Sequence, residues 1–499
     1  MTDAPASPAL DPLVEAGAAR LAALMAAGET SAEEVMRAHL ARIAAVNGPG
    51  NAVVSLRDPD DLLAEARAAD AARARGGAAG PLHGLPVAVK DLAATKGLRT
   101  TLGSPIYADW IPDKDGIVAA RQRAAGAILI GKTNVPEFGL GSHTMNPVFG
   151  TTANPWNPSR SAGGSSGGAA VGLALRMLPV ADGSDMMGSL RNPAGWCNVM
   201  GFRPSWGRVP NADSADLFAH QLATDGPMGR SAADMALLLD ALAGPDPAAP
   251  LSLSDAPAFA AGLDHPEPGI WARGLRVAWL GDWGGAYAME PGILETCEAA
   301  LGALRALGAE IETPPPPHPA EAIWDAWTTL RSWGVAGKYA ADYENPNRRA
   351  QMKPEAVWEV ERALGFSALD IHRAVVARAD WHRALMRLFG QVDLIALPSA
   401  QTWPFPIDDR WPAKIAGREM DTYHRWMEVV LPASLEGAPA VSVPAGFSGA
   451  TAAAAGIPEG LPIGLQLIGP PRADLAVLRA AAAYETAAPW TRAAPPDPR

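Results

Sequence analysis

Cysteine is almost missing: Cys197 and Cys297 are the only two in 499 residues. That excludes a disulfide framework and any Cys-x-x-Cys metal spacing, and it fits a reducing compartment. Basic runs are missing too, and the formal net charge is -12, so a protein that grips a phosphate backbone is not expected. No apolar stretch reaches the roughly 18 residues of a membrane span. Met1 to Ala19 carries acids and prolines but no basic segment followed by an apolar core, so it does not read as a secretion signal. The expectation is a soluble cytoplasmic protein with no nucleic-acid or membrane partner. Tyrosine and phenylalanine are few, six and nine, against 16 tryptophans, and Trp serves both core filling and apolar ligand walls.

What is present describes a large globular chain: 48% hydrophobic, 19% charged, with 50 Gly and 47 Pro scattered rather than clustered. Thr30-Ser31-Ala32-Glu33-Glu34 has the form of a capping box, predicting a helix to about Ala45. Leu85 to Asp91 reads as a short buried strand ending at Lys90, and Ala127 to Gly131 as another. Asn134 to Trp156 reads as a Gly/Pro/Asn-rich loop region. Gly244 to Pro250 breaks the pattern and is the best candidate junction. Beyond it, Leu275–Leu280, Pro291–Leu307 and Ala309–Glu312 predict a β-α-β unit. Helical, Trp-bearing sequence fills Ala320 to Leu388, and Val392–Pro398, Ala438–Pro444 and Pro462–Gly469 read as buried strands. The Ala-rich segment Gly449 to Gly456 reads as a loop, and the last helix as Ala473 to Glu485.

Two serine-bearing glycine turns dominate the chemistry. Gly163-Gly164-Ser165-Ser166-Gly167-Gly168 precedes Asp182-Gly183-Ser184-Asp185-Met186-Met187-Gly188-Ser189-Leu190-Arg191, and Ser165 and Ser189 are 24 residues apart. The first turn fits the Gly-x-Ser-x-Gly elbow of α/β-hydrolases. That elbow follows a hydrophobic strand, whereas Asn154 to Arg160 is turn-like, and none of the nine histidines stands in a setting that suggests a base. Lys90 is the alternative base. At the end of an apolar strand it is either a solvated strand end or a lysine whose pKa burial lowers toward neutrality.

Lys90 in Gly84-Leu85-Pro86-Val87-Ala88-Val89-Lys90-Asp91, the Gly-Gly-Ser165-Ser-Gly-Gly turn and Gly188-Ser189-Leu190-Arg191-Asn192-Pro193-Ala194 together resemble the amidase signature family. Gly131 to Phe138, Asn154 to Asn157, Gly201 to Arg208, Gly226-Pro227-Met228 and Gly464 to Gly469 look like further landmarks in family order, so the resemblance spans about residues 30 to 486. It implies an α/β fold with a large mixed, twisted β-sheet flanked on both faces by helices. It also implies one amidase-signature domain over 1–499, with a core half at 30–245, a mainly helical insertion at 246–390 and returning core strands at 391–486. By resemblance, Lys90 is the base, Ser165 a relay serine in a cis peptide, and Ser189 the nucleophile. Backbone amides of Met186, Met187, Gly188 and Ser189 form the oxyanion hole. Gly164, Ser166, Ser184, Asp185 and Arg191 support the site, with Ser166 expected to bond nearby backbone. No metal or cofactor is implied.

The chain departs from the family at Met187, where a glycine is usual, so that residue must keep φ negative or strain the turn. Asp91, next to Lys90, is expected to oppose lowering of the lysine pKa. Gly141, Met145, Met187 and Trp196 are the expected substrate pocket, with Trp156 nearby. Phe138 to Phe149 and Gln401 to Arg418 are the expected segments for substrate-size selection. The expected activity is cleavage of C–N bonds in apolar or aromatic amides, with carbamates and esters as further substrates. The Met-Met-Gly-Ser arrangement is similar to that of bacterial urethanases. Two alternatives stand beside it: a glutamine-hydrolysing amidotransferase component with a partner, and a noncatalytic binding protein disabled at Met187.

Overall fold

A computed structural model describes residues 10–78, 80–255 and 257–498; the first half of the Met1 to Ala19 segment lies outside them. A small sheet joins β1 (Val53–Val54), β2 (Pro86–Lys90) and β3 (Ile128–Thr133), with β3 central, parallel to β2 and antiparallel to β1. The main sheet contains β4 (Ala181–Asp185), β5 (Met200–Arg203), β6 (Thr224–Gly229), β7 (Arg276–Trp279), β8 (Glu310–Glu312), β9 (Leu394–Pro398), β10 (Ala440–Phe447) and β11 (Pro462–Ile468). Its spatial order is β8-β7-β9-β11-β10-β5-β6-β4. The β8, β7 and β9 strands run parallel and the remaining pairs antiparallel, so the sheet is mixed. Strands from before and after the Pro/Gly-rich segment 244–250 share this sheet.

The predicted β-α-β unit forms: β7 and β8 pair in parallel across the helix Ile293–Ala306. Every residue of β9 and β11 is buried, which is why both read as near-continuous apolar runs, broken only by Gln466, rather than as alternating ones. The capping box at Ser31 and Glu34 is present, but its helix runs on to Gly50, past the expected Ala45. It stops at Asn51, which adopts a left-handed φ of 43° that asparagine tolerates.

Other segments differ from expectation. The loop region 134–156 contains a short 3-10 turn, Glu137–Gly139, and a hairpin, Met145–Asn146 with Gly150–Thr151. Ala450–Ala454 is a short helix rather than loop, because four alanines, of the highest helix propensity, outweigh the single Thr451 in one turn. The helical region resolves into Ala320–Glu344, Pro346–Arg349, Pro354–Leu364 and Ala368–Phe389. Most tryptophans serve the core: Trp196, Trp327, Trp381, Trp403 and Trp426 are fully buried. Among the described residues no helix is long and apolar enough to cross a membrane.

Candidate active site

The site forms where β2, β4 and the two serine turns converge. Lys90, last residue of β2, is 1% exposed. Its Nζ lies 2.8 Å from Ser165 Oγ, 2.8 Å from Ser166 Oγ, 2.9 Å from Ser184 Oγ and 3.2 Å from the Ser184 carbonyl. The carbonyl can only accept, so one N–H of the amine points there, while the serine hydroxyls can donate to a lone pair. Burial pushes the Lys90 pKa down to about 7, against the opposing pull of Asp225, Asp182 and Asp185. Ser166 therefore touches the lysine itself, and its role is not confined to backbone bonding.

Asp91 does not face this cluster. Its carboxylate accepts from the Thr101 amide at 3.0 Å and from the Thr101 hydroxyl, on the side of β2 opposite Lys90. Burial raises its pKa, offset by Lys132. The acids that act on Lys90 come from neighbouring strands instead. Asp182 accepts the Lys90 amide at 3.1 Å, and Asp225 is the register partner of Ser184. Nothing in the sequence marks Asp225, because only the β4–β6 pairing brings it here.

The Gly164–Ser165 peptide is cis. Its turn is held from outside: Ser142 Oγ donates to the Gly164 carbonyl and accepts from its amide, and Thr144 Oγ1 donates to Gly163 O at 2.8 Å. The Ser166 amide donates to the Ser189 carbonyl at 3.3 Å, tying the two turns together. No motif in the sequence includes Ser142, whereas Asn192, its neighbour at 3.1 Å, lies in the run that follows Ser189.

Asp185 organises the second turn. It accepts from the Gly188 amide at 2.9 Å, the Leu190 amide at 3.2 Å, Arg191 Nε and Nη2 at 3.0 Å each, and Arg203 Nη1 at 3.1 Å. All five donors of Arg191 are used, the remainder by Val430 O, Gln466 Oε1 and Ser434 Oγ. Burial alone would raise the Asp185 pKa; Arg191 and Arg203 override it and hold the carboxyl well below its usual range. The Gly188 amide is thus spent on Asp185 and is not free for an oxyanion, leaving Met186, Met187 and Ser189 as the turn's candidate donors. Gly188 alone in the turn takes a left-handed φ, +79°, and a Cβ there would meet Val430 at 2.9 Å. Met187 stays outside that region, so a side chain at 187 costs no backbone strain.

A cavity of about 350 Å³ opens beside the turns. Gly141 and Met145 line it, together with Ser142, Tyr423, Trp411 and Trp426. Part of its wall is charged, with Glu137, Lys353, Glu355 and Arg410. The expected apolar pocket is therefore a mixed one. Trp196 is not on its wall: fully buried, it stacks behind Trp426 at 5.6 Å and donates to Thr402 O. Met187, 3% exposed, belongs to the core, and Trp156 packs on Phe447. Met186 is half-buried, with its sulfur 3.3 Å from Arg331 Nη1.

Neither serine turn is served by the nearby histidine. His143 bonds Ile407 O through Nε2 and Ser161 Oγ through Nδ1. Cys197 is buried and its thiol pKa pushed up, as an inert core residue requires. Among the described residues no group of three or more His, Cys, Asp or Glu is arranged to hold a metal ion.

The profile of the family described as Amidase matches residues 34–478. An acylamidase of Rhodococcus erythropolis is 35% identical over 485 residues, covering 96% of this chain and 97% of the relative. A glutamyl-tRNA(Gln) amidotransferase component of Thermus thermophilus is 37% identical over 488 residues, covering 93% and 96%. The crystal structure of a bacterial aryl acylamidase of the amidase signature family superposes with a TM-score of 0.87 at 29% identity, covering 97% of this chain and 98% of that one. With that match over nearly its whole length and the mixed sheet beneath it, the chain belongs to the amidase signature family and is an amidase.

Proposed function

We propose that this amidase works through an acyl-enzyme on Ser189, with Lys90 as base and Ser165 as relay. The observation that carries the reading is the four-oxygen setting of Lys90 Nζ, in which burial lowers the lysine pKa to about 7. Neutral Lys90 accepts the Ser165 proton, Ser165 accepts that of Ser189, and Ser189 attacks the carbonyl. The departing amine takes a proton back through Ser165. Met186, Met187 and Ser189 amides receive the oxyanion, an interaction for which one donor is typically worth about 2.7–4 kcal/mol. Water then releases the acyl group.

For substrates, three aromatic rings in the cavity favour aryl amides. Aryl carbamates offer the same carbonyl and a nitrogen leaving group, and esters a better leaving group, so both are included. Replacing Ser189 by Ala abolishes turnover of an aryl anilide on this reading; residual activity within tenfold of the parent refutes it. A second reading is favoured by the amidotransferase relatives, which match as well as the acylamidase. Ammonia release from glutamine, with copurification of a partner chain, would support that reading. A disabled binding protein is disfavoured by the relaxed backbone at Met187, and a phosphonate adduct on Ser189, seen by intact mass, excludes it.

A further inference from the structure

The charged wall of the cavity contains one acceptor that no other residue satisfies. Glu355 is 6% exposed. Its Oε1 accepts from two donors of Arg410, Nε at 3.2 Å and Nη2 closer. Its Oε2 accepts no hydrogen bond from another residue. Lys353 Nζ stands 3.9 Å from Oε2, an ion-pair distance beyond hydrogen-bond reach, and donates to Leu140 O at 2.9 Å. Despite burial, Lys353 and Arg410 hold the Glu355 pKa below its ordinary value, so the carboxylate is ionised. An unmet buried carboxylate oxygen costs free energy unless something fills its place.

The cavity flanks the proposed chemistry from two sides. Ser142 lines it and also bonds the Gly164 peptide. On the other side Tyr423 lines it and is bonded by Arg331 Nη2 at 2.7 Å, whose Nη1 touches Met186 in the nucleophile turn. Lys90, Ser165 and Ser189 are not on the cavity wall, and we take the cavity as the space into which the remote part of a substrate reacting at Ser189 extends. The partner Oε2 requires is a donor. The four charged groups of the wall comprise two acids and two bases, so a formal cation would meet no excess of negative charge.

We infer that Glu355 is a specificity-determining residue, and that its Oε2 accepts a hydrogen bond from an uncharged N–H or O–H group carried on an aromatic part of the substrate. The inference rests on the amidase reading with Ser189 as nucleophile. Glu355 orients the remote end of the substrate and takes no part in bond making.

Benzanilides bearing, at one meta or para position of either ring, a carboxamide or the isosteric acetyl group provide the test. Within each pair only NH₂ is exchanged for CH₃. The parent enzyme should prefer at least one carboxamide over its acetyl partner by tenfold or more in kcat/KM. Glu355→Met should bring that ratio to near one. Arg410→Gln, which leaves Oε2 in place, should retain it, and this control separates loss of the acceptor from loss of the ion pair. Ratios near one for every pair in the parent, or a ratio unchanged in Glu355→Met, overturn the inference while hydrolysis itself continues. Failure to turn over any benzanilide, the unsubstituted one included, counts against the aryl amide reading instead.

Discussion

If Lys90 is the base, activity must follow its neutral fraction. An unperturbed lysine would be neutral in only about three molecules in ten thousand at pH 7, whereas one at about 7 is neutral in half of them. The difference corresponds to about 5 kcal/mol of disfavour for the ammonium, of which burial at 1% exposure is the leading source. The expected profile of kcat/KM for an aryl anilide rises about tenfold per unit below roughly pH 6 and levels off above roughly pH 8. Asp225 needs separating from this, since burial and Asp182 push its carboxyl up to about 7. Asp225→Asn removes its titration and also a negative charge that favours the ammonium. The rising limb should therefore persist in that variant and move to lower pH. A profile flat from about pH 5.5 to 8.5, or a limb centred above about pH 9, would refute Lys90 as a base poised near neutrality. So would disappearance of the limb in Asp225→Asn.

Asp185→Asn leaves Arg191 and Arg203 buried without their shared carboxylate, and should cost about 3–5 kcal/mol in denaturant unfolding; a loss under about 1 kcal/mol would contradict the role given to Asp185. Trp196→Ala should cost about 3–5 kcal/mol while leaving the KM for aryl amides unchanged, and a rise in KM without loss of stability would return Trp196 to the pocket wall. Burial pushes His39, His143 and His220 down to about 4. Their folded pKa values lie below the unfolded ones, so their contribution to stability is full above about pH 6.5 and falls as pH drops toward about 4, where the unfolded chain binds protons first, while Asp225, Glu290 and Glu485, pushed up to about 7, contribute in the opposite sense. A urea midpoint whose change from about pH 7 to about pH 5 is the same in the parent and in His143→Gln would oppose this for His143.

Reading the sequence succeeds where burial is two-sided. The runs at 394–398 and 462–468 are apolar apart from Gln466 because both faces of those strands are covered, and Ser31 with Glu34 marks a helix start by local chemistry alone. Lys90, Ser165 and Ser189 are legible because each lies in a compact run of glycines or apolar residues. The cavity is not. Glu137, Glu355, Arg410 and Tyr423 come from four segments spread over nearly 300 residues and meet only through the packing of long helices against the loops. Met187 and Trp196 neighbour Ser189 in sequence, which suggests a place on the pocket wall, but the side chains follow the turn into the core. Asp91 misleads for the opposite reason: adjacent strand residues point to opposite faces.

The strand at 181–185 shows why the least strand-like sequence carries the most chemistry. Ala-Asp-Gly-Ser-Asp has poor β propensity, and nothing in it predicts a strand. Four of its five residues are explained by a contact rather than by propensity. Asp182 takes the Lys90 amide, and Ser184 gives the lysine Nζ two of its four oxygens. Asp185 fixes the turn that bears Ser189. Gly183 admits no side chain, since a Cβ there would lie 2.6 Å from both Ser166 Oγ and Leu190. Local preference and site geometry conflict at this strand, and the conflict is resolved by pairing with β6, whose five register contacts hold it in place. Strengthening β4 by propensity, for instance with valine at 183 or 184, would therefore separate Lys90 from its oxygens even as it improved the strand.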